Sequence, residues 1–466
     1  MNVVKAEIEL DQGILRELEG SFGGELVRPG DPVYDQHRRV WNGSIDRAPA
    51  LIARCSGVAD VISAVRFARE AGVEVAVRSG GHSFPGLSVC DGGIVVDLRS
   101  MRGIRVDPGR RTVRAQAGVL WGELDRETQA FGLATTGGIV THTGVAGLTL
   151  GGGIGWLQRK YGLTIDQLLS VDLVTAEGEF VKASETENAD LFWGLRGGGG
   201  NFGIVTEFEF RLHPVGPIVF AGPAFWPMDT APELLRFYRE WSAEAPDELM
   251  TIVVQRKAPA LSYVPAELQG KPVVSVACCY AGPVDEGEAV VRPLKEFAPP
   301  VLDLCEPKPY LEHQAMFDAS FPHDWWYYMR ACDVAELSDP VIEIAVDHAL
   351  RIQSPRTAFP IWQLGGAVAR VPEDETAFNG RHAGHTFNIT GMTTTREGFE
   401  AEREWVRGFW SALEPHHTSV YVNFLMDEGE ERIRQAYGAK YDRLQALKLK
   451  YDPDNLFHLN QNIPPK

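Results

Sequence analysis

Hydrophobic positions recur along the chain at two periods, near 3.6 residues and near 2, and the alternation between them predicts the elements. In residues 57–72, GVADVISAVRFAREAG, Val58, Val61, Ile62, Val65 and Ala68 share one helical face. Ser56 is placed to cap the start of that helix and Gly72 to end it. VEVAVRS after it, GGIVVDL (92–98) and RTVRAQAGV (111–119) read as strands. LWGELDRETQAFG (120–132) reads as a helix ending at Gly132. SVDLVTAEGEFVKAS (170–184) is a predicted hairpin that turns at Glu177-Gly178. NADLFWGLRG (188–197) is a predicted short helix capped by Asn188, and GIVTEFEFRLHP (203–214) a strand ending at Pro214.

From about residue 216 the segments lengthen. TAPELLRFYREWSAEAP (230–246) has helical spacing, whereas MTIVVQRKAP and PVVSVACCYAG read as strands. FPIWQLGGAV (359–368) reads as a further strand, in which Trp362 and Gln363 face opposite ways. Residues 428–450 form one predicted helix. The tail after it, YDPDNLFHLNQNIPPK, is too rich in Asn, Phe and Leu for a solvated end and is expected to dock. The fold class expected is α+β. Residues 1–215 would form one domain, 216–418 a second, and 419–466 would return to the first.

Charge narrows the function. With 45 Lys and Arg against 63 Asp and Glu the net charge is −18, and no basic stripe offsets it, so nucleic acid is not an expected partner. MNVVKAEIELDQG lacks the basic and apolar regions of a leader, and no apolar run has membrane length, so a cytoplasmic protein without a membrane partner is expected. The six cysteines have no metal-ligand spacing and read as buried structural thiols. His382 and His385 in RHAGHTFNI stand three apart without a third ligand, so no metal site is assigned. HDWWYYMR (323–330) reads as an aromatic core patch.

The glycines cluster at 78–86, 137–155 and 197–203. GGGNFG (198–203) matches the dinucleotide fingerprint G-x-G-x-x-G literally. A helix precedes it and a strand follows, the reverse of the fingerprint's context, so that reading is rejected. RSGGHSFPG (78–86) is better placed. It follows an apolar strand, and its glycines expose consecutive N–H groups that can hold phosphate oxygens without positive side chains.

Together with VAVRSGGHSFPGLS (75–88) and GGIVVDL (92–98), three longer stretches carry a resemblance. They are GVAGLTLGGGIGWLQRKYGLTIDQLLSVDLVTAEGE (144–179), DLFWGLRGGGGNFGIVTEFEFRL (190–212), and YVNF (421–424) with AYGAKYDRLQALKLKYDPDNLFHLNQNIPP (436–465). The chain resembles the FAD-linked oxidases of the vanillyl-alcohol oxidase superfamily, and more closely the berberine-bridge-enzyme-like branch. The resemblance implies a two-subdomain FAD-binding module and an α+β substrate domain whose antiparallel sheet roofs the flavin. It implies that His82 is bonded covalently to the flavin 8α-methyl. Arg78, Ser79, Gly80, Gly81, Ser83, Ser88, Gly137, Gly144, Gly147, Gly152, Gly153, Gly155, Asn201, Gly203, Val205, Asn460 and Asn462 are the implied cofactor contacts. Many members of the branch carry a second tether through a cysteine. Val140 occupies that position here, so a single covalent bond is expected.

The chemistry implied is two-electron oxidation of an alcohol, sugar, amine or phenolic C–H, with hydride passing to flavin N5 and dioxygen leaving as hydrogen peroxide. Oxygenating or ring-forming chemistry through a flavin–oxygen adduct, and non-catalytic flavin binding, are the competing readings. Tyr421 is the candidate base, on a strand, with nearby positive character lowering its pKa. Asn423, two residues on, would face the same way and orient the substrate. Gln363 is the candidate substrate contact from the roof. The partners expected are a small molecule and dioxygen, for a monomer or homo-oligomer.

Overall fold

The structure, a computed structural model, describes residues 11–262, 264–426 and 428–466. The expectation of no leader rests mostly on residues 1–10, which lie outside the described residues.

Val58–Ala71 is helical, and Gly72 ends it in the left-handed region at φ 61°. Its start differs from expectation. Gly57 takes the cap position, and Ser56 instead donates from its N and Oγ to Asp60 in the first turn. The apolar face of this helix covers a four-stranded sheet ordered Glu25–Val27, Leu51–Arg54, Ile94–Asp97 and Val75–Arg78, in which the last three strands are parallel. These strands are buried almost throughout, which is why they read as unbroken apolar runs.

A second, antiparallel sheet follows, ordered Ile104–Asp107, Thr112–Gln116, Ile204–Arg211, Leu168–Val174 and Phe180–Ser184. The expected hairpin is its last pair, with Gly178 at φ 70° in the turn. The predicted strand 203–214 divides instead. Ile204–Arg211 stays in this sheet, while His213–Pro214 pairs with Leu133–Ala134. Val145–Leu150 forms a helix that the glycine-rich composition of 133–155 does not suggest.

The rest of the α+β fold is built on one long antiparallel sheet. Its central strands are Ile218–Pro227, Pro272–Tyr280, Leu249–Lys257, Ala358–Gln363, His385–Thr393 and Trp326–Val334, in that order. Side chains alternate across it. Val253, Val274, Val276, Phe359, Ile361, Phe387 and Ile389 pack outward against helices that include Ala231–Glu244, Asp339–Leu350 and Arg396–Leu413. Ile252, Val254, Ala358 and Trp362 face the other way, toward Ile139, Ile154, Trp156 and Tyr421. This inner face roofs the glycine-rich region.

The predicted helix 428–450 is two helices, Glu430–Tyr437 and Tyr441–Tyr451, broken at Gly438 (φ 53°). The tail does dock. Lys448, fully buried, donates to Asp452 (2.6 Å) and to the carbonyls of Asn201 and Phe457 (2.8 and 2.9 Å). The Asn201 side chain donates to Gln461 O and accepts from Ile463 N.

Candidate active site

Val75–Arg78 delivers the chain to the glycine loop, and Arg78 anchors what lies beneath it. Its guanidinium donates to the carbonyls of His37 and Arg39, and burial pulls its pKa down to about 10. Arg78 is thus spent on main chain and does not line the cavity, contrary to the implied cofactor contact. Ser79 Oγ donates to Ala117 O (2.6 Å), and Leu87 N donates to Ser83 Oγ (3.0 Å), which close the loop from both ends.

The two glycine clusters meet at Gly80 and Gly144. A Cβ on Gly80 would lie 2.3 Å from Gly144 N, and one on Gly144 would lie 2.3 Å from Gly80 N, so neither backbone could approach the other with a side chain present. Above this contact runs a cavity whose wall includes Ser79, Gly80, Gly81, His82, Ser83, Ser88, Gly144, Gly147, Gly203, Val205, Asn460, Tyr421 and Asn423. Residues from five separate stretches of sequence are thereby brought together. Gly137, Gly152, Gly153, Gly155, Asn201 and Asn462 are not in that wall. Gly155 packs on Gly137 O, Gly152 on the rings of Phe378 and Tyr421, and Asn201 holds the tail. These residues shape the cavity from behind.

The roof is mostly apolar, with Phe84, Ile139, Val140, Ile154, Phe317, Phe321, Ala358, Pro360, Trp362 and Phe424, and its polar members are Arg256, Ser320 and Asn388. Strand parity decides the pair singled out in the sequence. Trp362 lines the cavity, and Gln363 does not. Gln363 Nε2 donates to Ser242 O and its Oε1 accepts from Thr251 Oγ1, both at 2.7 Å, on the helix-covered face. A substrate contact through Gln363 is therefore excluded.

Tyr421 is 3% exposed. It precedes a 3-10 turn, Val422–Phe424, rather than standing on a strand. Asn423 still reaches it, because a tight turn also brings residues two apart together. Asn423 Nδ2 donates to the phenol oxygen (2.8 Å) and to Leu148 O (3.0 Å). Gly153 N donates to the same phenol oxygen at 2.9 Å. Burial pushes the Tyr421 pKa up to about 12, against the lowering effect of Asn423 and the Gly153 and Ile154 N–H groups. The expected cation is not among these causes; amide dipoles take its place.

His82 lies flat against Trp41, with ring centroids 4.6 Å apart and planes 18° apart, and Trp41 stacks in turn on Tyr327 at 3.8 Å. His82 Nε2 is 2.6 Å from His142 Nδ1. His323, exposed, completes a group of three imidazoles whose ring nitrogens lie within 4.8 Å of one another. Burial, and then the neighbouring His142 and His323, hold the His82 pKa well below the usual histidine value, so the ring is neutral. Two imidazole nitrogens on one tetrahedral zinc stand about 3.3 Å apart. The 2.6 Å separation is that of a hydrogen bond. The aromatic patch at 323–330 is thus only partly core: Tyr327, Tyr328 and Met329 are buried, while His323 faces the site. Trp41, His142 and His323 carry no motif in the sequence, and only their approach to His82 marks them.

The cavity suits a flavin dinucleotide. Among the described residues its wall holds no carboxylate, in a chain of net charge −18, so a pyrophosphate meets no like charge there. Ser88 Oγ and Asn460 Oδ1 line it as buried polar atoms without a partner among the described residues. A hydroxyl donor and an amide are the groups that a phosphate and a ring edge require.

Comparison with known proteins agrees. A family model described as FAD binding domain matches residues 49–184, and one described as berberine and berberine like matches 420–464. The chain is 34% identical over 457 residues to an FAD-linked oxidoreductase of Dictyostelium discoideum, with 97% of each covered. It is 31% identical to (R)-6-hydroxynicotine oxidase of Paenarthrobacter nicotinovorans, over 96% of this chain and 98% of that one. The crystal structure of 6-hydroxy-D-nicotine oxidase from Arthrobacter nicotinovorans superposes with a TM-score of 0.87 at 30% identity, over 98% of this chain and all of that one. The chain belongs to the FAD-linked oxidoreductases of the berberine-bridge-enzyme-like family. It is an FAD-dependent enzyme with the α+β fold of that class.

Proposed function

We propose that this enzyme carries FAD on His82 through a single covalent bond and oxidises a compact, largely apolar substrate, with dioxygen as acceptor and hydrogen peroxide as product. The observation that carries this reading is the position of His82, a neutral imidazole set in the wall between a glycine floor and an aromatic roof. Val140 lines the cavity, and none of the six cysteines does, so no thiol is at hand for a second tether.

When bound, the flavin supplies the two-electron chemistry. The chain positions the donor. Phe317, Phe321, Pro360, Trp362 and Phe424 exclude water and suit a ring more than a polyhydroxylated sugar. The relative named as a 6-hydroxynicotine oxidase supports a heterocyclic or aromatic amine or alcohol. Tyr421, its oxygen held by Asn423 and Gly153, is placed to exchange a proton with substrate N–H or O–H.

The test is to precipitate the purified protein with acid and follow the flavin, then assay peroxide release with cyclic amines, aromatic alcohols and aldoses. Flavin retained in the pellet, its transfer to the supernatant in His82→Ala, and peroxide from the ring compounds are expected. Free FAD from the wild type would refute the tether. Turnover of aldoses alone, or of no compound with peroxide release, would refute the substrate and acceptor readings.

A further inference from the structure

We propose that His142 is the positioning residue for flavin attachment: it accepts the His82 Nε2 proton, so that Nδ1 is the nitrogen bonded to the cofactor, and His323 leads that proton to solvent. This rests on the tether at His82 proposed above.

A neutral imidazole has one N–H and one lone-pair nitrogen. Only the lone-pair nitrogen can form a carbon–nitrogen bond. The 2.6 Å contact between His82 Nε2 and His142 Nδ1 holds one hydrogen. When His82 is the donor, its proton sits on Nε2 and its Nδ1 keeps the lone pair that can form the bond. The reverse arrangement would place the proton on Nδ1 and block it. Trp41, stacked on the His82 ring, resists the ring turning over.

His142 is itself held in place. Thr141 donates from its N and Oγ1 to the two Asp318 oxygens at 2.8 and 2.5 Å. Gly122 N and Trp121 N donate to the carbonyls of Thr141 and Thr143, on either side of His142. The His323 ring lies 4.8 Å from that of His142 and is exposed, so the chain of imidazoles runs from the buried site outward.

In the attachment, one N–H of His82 and one C–H of the flavin 8α-methyl are replaced by a C–N bond. Both hydrogens leave as protons, the Nε2 proton going to His142 Nδ1. The two electrons remain on the flavin until dioxygen takes them up, yielding hydrogen peroxide. Without an acceptor at Nε2 the newly bonded imidazole would be left as a buried cation, which burial disfavours.

The experiment measures covalent flavin in purified protein by fluorescence on denaturing gels and by intact mass, and its growth during aerobic incubation. Total bound FAD is read from absorbance after gel filtration. In His142→Ala, FAD should stay bound but attach covalently at least about tenfold more slowly, as loss of a proton acceptor implies. Added imidazole should restore the rate. His142→Gln, whose carbonyl still accepts from Nε2 but takes no proton, should also retain FAD and attach it slowly. Magnetic resonance of the isolated flavin–peptide should show the bond at Nδ1. Attachment at the wild-type rate in both variants, indifference of His142→Ala to imidazole, or a bond at Nε2 would overturn the proposal while leaving the tether intact. Wild-type protein without covalent flavin would overturn the tether, and this inference with it. His82→Ala supplies the zero point for covalent flavin.

Discussion

Tyr421 combines two opposing effects on one oxygen. Burial disfavours the phenolate and raises its pKa to about 12, while three N–H donors from Asn423, Gly153 and Ile154 favour it. The balance leaves a phenol at neutral pH, which must pass on its own proton before its oxygen can take one from the substrate. Replacing Tyr421 with Phe removes that oxygen and leaves the packing against Phe378 and Phe424. Anaerobic flavin reduction in stopped flow should slow by about 10²-fold or more, as for other acid–base groups. Substrate binding measured in the same experiment should change little. A reduction rate within a few-fold of wild type would remove Tyr421 from the chemistry. The motif YVN is legible in the sequence, but the sign of the pKa shift is not. That sign depends on what surrounds the ring, and the sequence suggests a cation where the fold supplies backbone amides.

At the scale of elements, strand parity explains both the success and the failure at 359–368. Alternation correctly separates Trp362 from Gln363, yet it does not say which face meets the cavity. The helix Ala231–Glu244, whose Ser242 carbonyl takes the Gln363 amide, settles it. The turn Thr164–Gln167 and the loop before His385–Thr393 are joined in a comparable way. Arg381, fully buried, donates to both Asp166 oxygens at 3.1 and 2.7 Å and to Thr376 Oγ1 at 2.8 Å. Removing one partner of a buried pair leaves an uncompensated charge and costs about 3–5 kcal/mol. Arg381→Met should lower the urea unfolding free energy by that amount, and the double variant Arg381→Met/Asp166→Leu should recover much of the loss. A single variant as stable as wild type would show that Asp166 finds another partner.

Across the whole molecule, the helices Trp121–Gln129 and Tyr310–Gln314 share a buried polar contact that ties stability to pH. Asp125, in the helix Trp121–Gln129, accepts a hydrogen bond from Gln314, 189 residues away, at 2.7 Å. Burial raises its pKa from 3.8 to about 7, although Gln314 opposes this. Between these values the folded state keeps a proton that the unfolded chain releases, so stability falls as pH rises through this window. Asp125→Asn removes the ionisation. At pH 8 it should be more stable than wild type by up to about 4 kcal/mol, three pH units at 1.36 kcal/mol each. The difference should close near pH 4. Urea titrations at the two pH values check this; an equal gap at both would show that the carboxyl stays ionised.

The sequence by itself determined the periodic elements, the α+β class, the glycine loop with its histidine, and the docking of the C-terminal tail. These depend on neighbours in the chain: hydrophobic period, turn residues and short motifs. Tertiary structure decided which residues meet His82. Trp41, His142 and His323 come from stretches without a shared motif, and they converge only because two glycine clusters and the edge of a distant sheet pack against one another. It likewise turned Gln363 away from the cavity and moved Arg78 beneath the loop. Side-chain partnership is set by packing between elements, and packing is a property of the folded chain that no local pattern encodes.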